Sequence, residues 1–270
     1  MTEQTNQVDT TAAEAYENFM VPGLFGPWVH EIVQLAAPQA GEHVLDVACG
    51  TGTASRLVAE LVTASGKVVG LDIDPGMIEV ARSRPASSSG AAVEWHCGSA
   101  LEIPFENDLF DAVLCLQGLQ YFPDKVAGLA EMLRVMKPEG RLAANVWRTI
   151  EHCKGHAALA QILERWGVDA GAARKPFSLG ESDEVQRLAR EAGFRDVKIS
   201  TVNKPAHFTS PQHFIESLAS GAPSTRHALA KVPEQERSKL IEEVSTALER
   251  YVETDGVSIP YACHLLLARP

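Results

Sequence analysis

Along residues 41–147, short apolar runs alternate with stretches whose apolar residues recur every three or four positions. Val44, Leu45, Val47 and Ala48 form the first run. They are apolar on successive positions, as in a parallel strand covered on both faces. TASRLVAELV, at 53–62, follows with helical spacing. KVVGLDI at 67–73 is a second buried strand, and PGMIEVARSR at 75–84 opens on a proline suited to a helix's first turn. AVEWHCG (92–98), LFDAVLCLQ (109–117) and RLAANVW (141–147) read as the third to fifth strands. Between the last two, KVAGLAEMLRVMK at 125–137 carries a helical stripe and PEG at 138–140 reads as a turn. PASSSGA at 85–91 is a loop by composition. Repeated strand–helix alternation predicts an α/β fold with a doubly wound, parallel sheet.

The pattern changes after residue 150. Residues 153–167 have helical spacing and GAARKPFSLG, at 171–180, reads as a loop. SDEVQRLAREAGF, at 182–194, joins a serine cap and an acidic first turn to a late glycine, the signature of a helix. A strand lies within 195–208, helices at 211–220 and 233–251, and a final strand at 261–269. The order predicts an N-terminal helical cap over 1–40, a core made of 41–208 and 258–270, and a helical lid inserted at 209–257.

Composition narrows the class. The chain has 270 residues, of which 45% are hydrophobic and 22% charged, enough apolar material for a globular core. Its net charge of -11 argues against a phosphate-backbone binder, so no nucleic acid partner is expected. No apolar run approaches the ~20 residues of a membrane helix, so no membrane insertion is expected. Residues 1–19 have neither a basic start nor an apolar centre, and no signal peptide is read there. Five scattered cysteines (Cys49, Cys97, Cys115, Cys153 and Cys263) make neither a disulfide framework nor a metal site, and a cytoplasmic location is the expectation.

The chemistry gathers at the ends of the first two strands. In VLDVACGTG, at 44–52, Asp46 interrupts a buried run, and a buried carboxylate needs donors or a cation. Gly50 and Gly52 allow backbone angles and close approaches that a side chain blocks. Asp72 lies 22 positions beyond Gly50, the spacing at which an acid meets the ribose hydroxyls of a nucleotide bound on a glycine turn. The bland alternative for Asp72 is a solvated strand-end acid; Asp74 reads as the cap of the next helix.

VLDVACGTG, LDIDPGM, GSALEIPFENDLFDAV and LRVMKPEGRL, in that order and spacing, resemble the class I S-adenosylmethionine-dependent methyltransferases of the ubiquinone/menaquinone-biosynthesis type. The resemblance runs from Tyr16 to Trp147 and continues more weakly through Leu188 to Phe194 and the last strand. It implies a Rossmann-like, seven-stranded, mostly parallel sheet whose last strand is antiparallel. It also implies S-adenosylmethionine as cofactor, with S-adenosylhomocysteine as product. Asp46 would hold the glycine loop near the cofactor's amine; Ala48, Gly50 and Gly52 would bring backbone to its methionine and ribose portion. Asp72 would take the ribose and Ile73 the adenine face. Met77 lies either near that ring or in the core. Ser99 and Ala100 fall where relatives carry an acid then Ala, so Ser99 offers a neutral and weaker acceptor. Leu116 and Gln117 would face the methionine moiety. Tyr16 either reaches the cofactor's carboxylate or packs a helix onto the sheet with Phe19, Phe25 and Trp28.

Methyl transfer from a sulfonium asks the protein for alignment and exclusion of water, and for a base where the nucleophile is acidic. Candidate bases are His152, His156 and Tyr121, with packing roles as the alternative. Gln117 and Gln120 either orient a polar substrate or satisfy backbone groups. The implied acceptor is a small, partly apolar molecule, such as a quinone, a polyketide or another secondary metabolite, bound by a monomer or homodimer. Three rivals share the early motifs: an NAD-dependent oxidoreductase, a non-catalytic binder of the same cofactor, and a protein using the fold to assist a cyclisation.

Overall fold

Strand β1 (His43–Val47) sits at the centre of the sheet, and the chain leaves it in both directions. To one side lie β2 (Lys67–Asp72) and β3 (Val93–Cys97). To the other lie β4 (Phe110–Leu116) and β5 (Met136–Trp147). All five run parallel. Beyond them come β6 (Asp196–Phe208), the two-residue β7 (Val252–Glu253) and β8 (Gly256–Arg269). The order is β3-β2-β1-β4-β5-β8-β6, with β7 paired to β8, and β8 runs antiparallel to both its long neighbours. The computed structural model describes residues 8–85 and 89–270. Residues 1–7 of the expected cap, and 86–88 of the expected loop, lie outside the described residues.

The helices are α1 (Thr11–Ala15), α2 (Gly26–Ala36), α3 (Thr53–Val62), α4 (Pro75–Ser83) and α5 (Lys125–Val135). They continue as α6 (Lys154–Arg165), α7 (Gly171–Arg174), α8 (Ser182–Glu191), α9 (Pro211–Gly221), α10 (Pro223–Leu229) and α11 (Arg237–Leu248). Helices α2 and α3 bury Ile32, Val58 and Val62 against Val44, Val68 and Leu114 on one face. On the other, α5 and α8 bury Leu129, Met132 and Leu188 against Leu45, Val113 and Leu142. A third core joins α6, α9 and α11 to Trp147, Tyr261 and Cys263 at the far end of β5 and β8. Burial on both faces explains why β1 and β4 read as unbroken apolar runs. Arg141, at the fifth strand, pairs with Glu42 at 2.6 Å and donates to the Ala37 carbonyl at 3.0 Å, tying the end of α2 to the start of β1.

The expected parallel core and antiparallel last strand are present; the count differs by one. β7 forms a tight hairpin with β8, too short to leave an alternating pattern in sequence. The PEG segment at 138–140 belongs to β5. Phe110 pairs with Met136 and Ala112 with Arg141, so the extra residues bulge out of a continuing strand. The expected loop at 171–180 contains α7 and a 3₁₀ turn at Lys175–Phe177, and α10 fills a gap between two expected helices. Ahead of α2, Tyr16–Phe25 winds as a wide π-helical segment, closed by the Gly26 N–H donating to the Val21 carbonyl five residues back. That segment lies against α9, where a Cβ on Gly221 would stand 2.9 Å from the Tyr16 backbone.

Candidate functional site

The sheet changes direction between β1 and β4, and in open α/β sheets ligands bind in the crevice at the carboxyl ends of such strands. There β1 runs into a turn that holds Ala48 at φ 57°, Gly50 at 55° and Gly52 at 83° before α3 begins. The left-handed region costs glycine little and alanine about 1 kcal/mol. A Cβ on Gly52 would run into the Trp95 ring, which reaches across from β3. The Gly50 N–H donates to Asp72 Oδ2 at 2.8 Å, and the Asp74 N–H to Asp72 Oδ1 at 2.9 Å. Asp72 therefore ties the glycine turn to the end of β2.

Asp46 is 1% exposed. Ser55 Oγ donates to its Oδ2 at 2.6 Å, whereas Oδ1 has no partner, and neither does the buried hydroxyl of Thr53 at the start of α3. Burial pushes the Asp46 carboxyl up to about 7, and burial raises Asp72 as well; the charge of Asp72 makes Asp46 harder still to ionise. Two desolvated carboxylates at one glycine turn favour a cationic ligand and oppose a doubly charged pyrophosphate. An α-amino acid end meets this donor set: an ammonium for the free oxygen of Asp46, and a carboxylate for Thr53 and the N-terminus of α3.

A small cleft opens beside this turn, lined by Asp46, Ala48, Thr53, Phe25, Val29 and Leu116. Tyr16 lines it too: its ring passes 3.8 Å from where a Gly50 Cβ would stand. The phenol has Tyr121, Asp72 and Asp46 as electrostatic neighbours, and burial pushes it far above its ordinary range. Glu17 fastens the segment down. Its carboxylate accepts from the Thr51 hydroxyl and pairs with Arg56 at 3.3 Å, while Arg56 also donates to the Thr51 carbonyl at 2.6 Å.

Of the expected cofactor residues, Tyr16, Asp46, Ala48 and Leu116 share the cleft, while Gly50 and Gly52 belong to the turn that supplies Cys49 and Thr51 to its lining, and Asp72 is tied to that turn. Ile73, Met77, Ser99 and Ala100 lie off that cleft, around the carboxyl ends of β2 and β3. Ile73 is 72% exposed there, and Ser99 Oγ accepts from the Leu101 N–H at 3.1 Å. Gln117 stands at φ 54° with its side chain buried. None of the three candidate bases lines the cleft. His152 is exposed on a 3₁₀ turn. His156 is buried between Phe177 and Phe214, with Nδ1 2.6 Å from the Tyr261 hydroxyl, and burial alone drops it to about 3. Tyr121 lies beside Ser224 of α10. Sequence reasoning missed Glu17, Thr53 and Trp95. Thr53 was findable as the first helical residue after a glycine turn; Glu17 and Trp95 act across 34 or more residues and leave no local trace.

The sequence profile of the ubiE/COQ5 methyltransferase family matches residues 9–161. A 2-phytyl-1,4-naphtoquinone methyltransferase of Synechococcus elongatus is 33% identical over 205 residues, 74% of this chain and 84% of that protein. A demethylmenaquinone methyltransferase of Symbiobacterium thermophilum is 37% identical over 129 residues, 47% of this chain and 51% of that one. The fold is shared with a Haemonchus contortus phosphoethanolamine N-methyltransferase solved with S-adenosylhomocysteine. The TM-score is 0.61 at 20% identity, over 97% of this chain and 57% of that one. The chain belongs to the ubiE/COQ5 methyltransferase family and is an S-adenosylmethionine-dependent methyltransferase.

Proposed function

We propose that the protein methylates a small, apolar, quinone-derived ring, aligned in the cleft between Tyr16 and Leu116. The observation that carries this is the make-up of that cleft, whose lining joins the acid of Asp46 to the apolar side chains of Phe25, Val29 and Leu116. The 33% identity to a naphthoquinone methyltransferase over most of its length supports the same class of acceptor. Bound S-adenosylmethionine supplies a methyl on a sulfonium, which becomes a thioether as an acceptor carbon or oxygen takes the methyl and gives up a proton. A quinone ring is electron-poor and donates no electron pair to such a methyl. The nucleophile is therefore the reduced, dihydroxy ring.

In this reading Asp46 and Thr53 hold the amino acid end, Asp72 the ribose, and Ile73, Met77, Ser99 and Ala100 the adenine. Tyr16 and the π-helical segment close over the methyl and exclude water, and α9, α10 and α11 form the lid over the acceptor. The chemistry asked of the side chains is positioning, and none of His152, His156 and Tyr121 is given the role of base. Glu17 is the latch: Glu17→Ala removes a charge-assisted hydrogen bond worth about 1.5–3 kcal/mol. S-adenosylhomocysteine is then expected to dissociate about tenfold faster in stopped-flow displacement; an unchanged rate would mean that the cap opens elsewhere.

The activity test is anaerobic incubation with S-adenosylmethionine and a 2-alkyl-1,4-dihydroxynaphthalene, with sarcosine and phosphoethanolamine as comparators, read by mass spectrometry. A methylated naphthalene alone supports the proposal. Methylation of the amines alone rejects the quinone-derived acceptor, and tight S-adenosylhomocysteine binding without any methylated product points to a protein that binds without turnover.

A further inference from the structure

Beyond Leu116 the chain builds a row of buried amides. Gln117 is held at φ 54°, its N–H donating to Asn145 Oδ1 at 3.0 Å. Its side-chain Nε2 donates to Cys263 Sγ at 3.1 Å, and its Oε1 accepts from Gln120 Nε2 at 2.8 Å. The row ends there. Gln120 is 2% exposed and its Oε1 has no partner. A buried carbonyl oxygen stripped of water and given no donor costs free energy, and in native proteins each such group asks for an explanation. Gln117 spends both ends of its amide, and its backbone holds a strained conformation that sets the direction of the row; at the other end of the row Asn145 Nδ2 is likewise without a partner.

The row begins one residue beyond the cleft. Leu116, one residue before it, lines the cleft. Tyr121, one residue after Gln120, is an electrostatic neighbour of the Tyr16 phenol and also lies beside Ser224 of α10. The 3₁₀ turn that carries Gln120, Leu119–Tyr121, thus ends on a residue near both Tyr16 of the cleft and Ser224 of α10. On α10 the next residue, Thr225, is buried with its hydroxyl unpartnered as well.

We propose that Gln120 recognises the methyl acceptor, its unshared amide oxygen accepting a hydrogen bond from a ring hydroxyl. This rests on the quinone-derived acceptor argued above. Gln117 is the positioning residue that holds Gln120 in place. A site built to accept an O–H discriminates against an ether of the same shape, because the buried oxygen is then left unpaired.

The test is calorimetric titration of the full chain, saturated with S-adenosylhomocysteine and kept anaerobic, with 1,4-dihydroxynaphthalene and with 1,4-dimethoxynaphthalene. Wild type is expected to favour the diol about tenfold. Gln120→Met keeps the length of the side chain and is expected to abolish that preference. Gln120→Glu, neutral in so buried a place, donates to Gln117 Oε1 and still offers a carbonyl oxygen, so it is expected to keep it. Affinity for S-adenosylhomocysteine, unchanged in both variants, reports that the cleft is intact. Equal affinity of wild type for diol and ether overturns the inference, as does a preference that survives in Gln120→Met. So does a loss of S-adenosylhomocysteine binding in step with that of the diol. Wild type binding neither naphthalene rejects the quinone-derived acceptor itself.

Discussion

Asp72→Asn is expected to weaken S-adenosylhomocysteine binding about a hundredfold and to lower the melting temperature of the free protein. Both carboxylate oxygens already accept a backbone N–H, one from Gly50 and one from Asp74. A carboxylate has about four acceptor positions, so it can hold these two and still receive two ribose hydroxyls. An asparagine cannot: whichever way the amide turns, its NH₂ faces one of the two N–H groups. A charged hydrogen bond contributes about 1.5–3 kcal/mol, and losing most of two ribose bonds gives roughly the hundredfold effect. The melting temperature reports the glycine turn, and isothermal titration reports the ribose. A variant that melts early yet binds with wild-type affinity would make Asp72 a strut for the turn and remove it from the nucleotide site.

Asp72 also shows what kind of information the sequence carries. Its distance from Gly50 is a local spacing within one strand–turn–helix–strand unit, so the pattern and the structure agree on it. The same holds for β1, α3 and α4, whose periodicity is set by burial on one or both faces. Asp46 was legible as a buried acid in need of a partner. That one of its oxygens lacks one is a statement about three dimensions. Glu17 could not be read at all: a glutamate in a helix-forming segment looks solvated until the chain folds back onto Thr51 and Arg56. The amide row is hidden for the same reason, since Gln117 meets Cys263 across 146 residues. The histidines show the reverse. Their position past the fifth strand put them near the catalytic edge by order alone. The fold then turns His156 into the third core, where Tyr261 and Phe177 enclose it, and leaves His152 outside. The small α10 and β7 fail for want of length, because seven and two residues are too few for a period to repeat.

Asp46→Asn carries the second large effect, and its sign depends on pH. In the free protein the Asp46 carboxyl titrates at about 7, against an ordinary value of 3.8, because burial disfavours the ionised form. Between those two values the native chain binds a proton that the unfolded chain does not, so stability falls as pH rises from about 4 to about 7 and is flat above. The shift corresponds to about 4 kcal/mol. The asparagine of the variant has no charge to bury, so the variant is expected to gain on wild type across that window and to match it near pH 4, in denaturant titrations at each pH. Binding runs the other way. An ammonium at Oδ1 stabilises the carboxylate and pulls its titration down, so wild type at pH 6 should expel close to one proton on taking up S-adenosylhomocysteine, and almost none at pH 8. Calorimetry in two buffers of different ionisation heat measures that number directly. Affinity rises with pH up to about 7, and the variant shows neither the proton nor the rise. Proton release that persists in Asp46→Asn, or is absent from wild type, would separate the free oxygen of Asp46 from the ligand's amine and move the amino acid end elsewhere in the cleft.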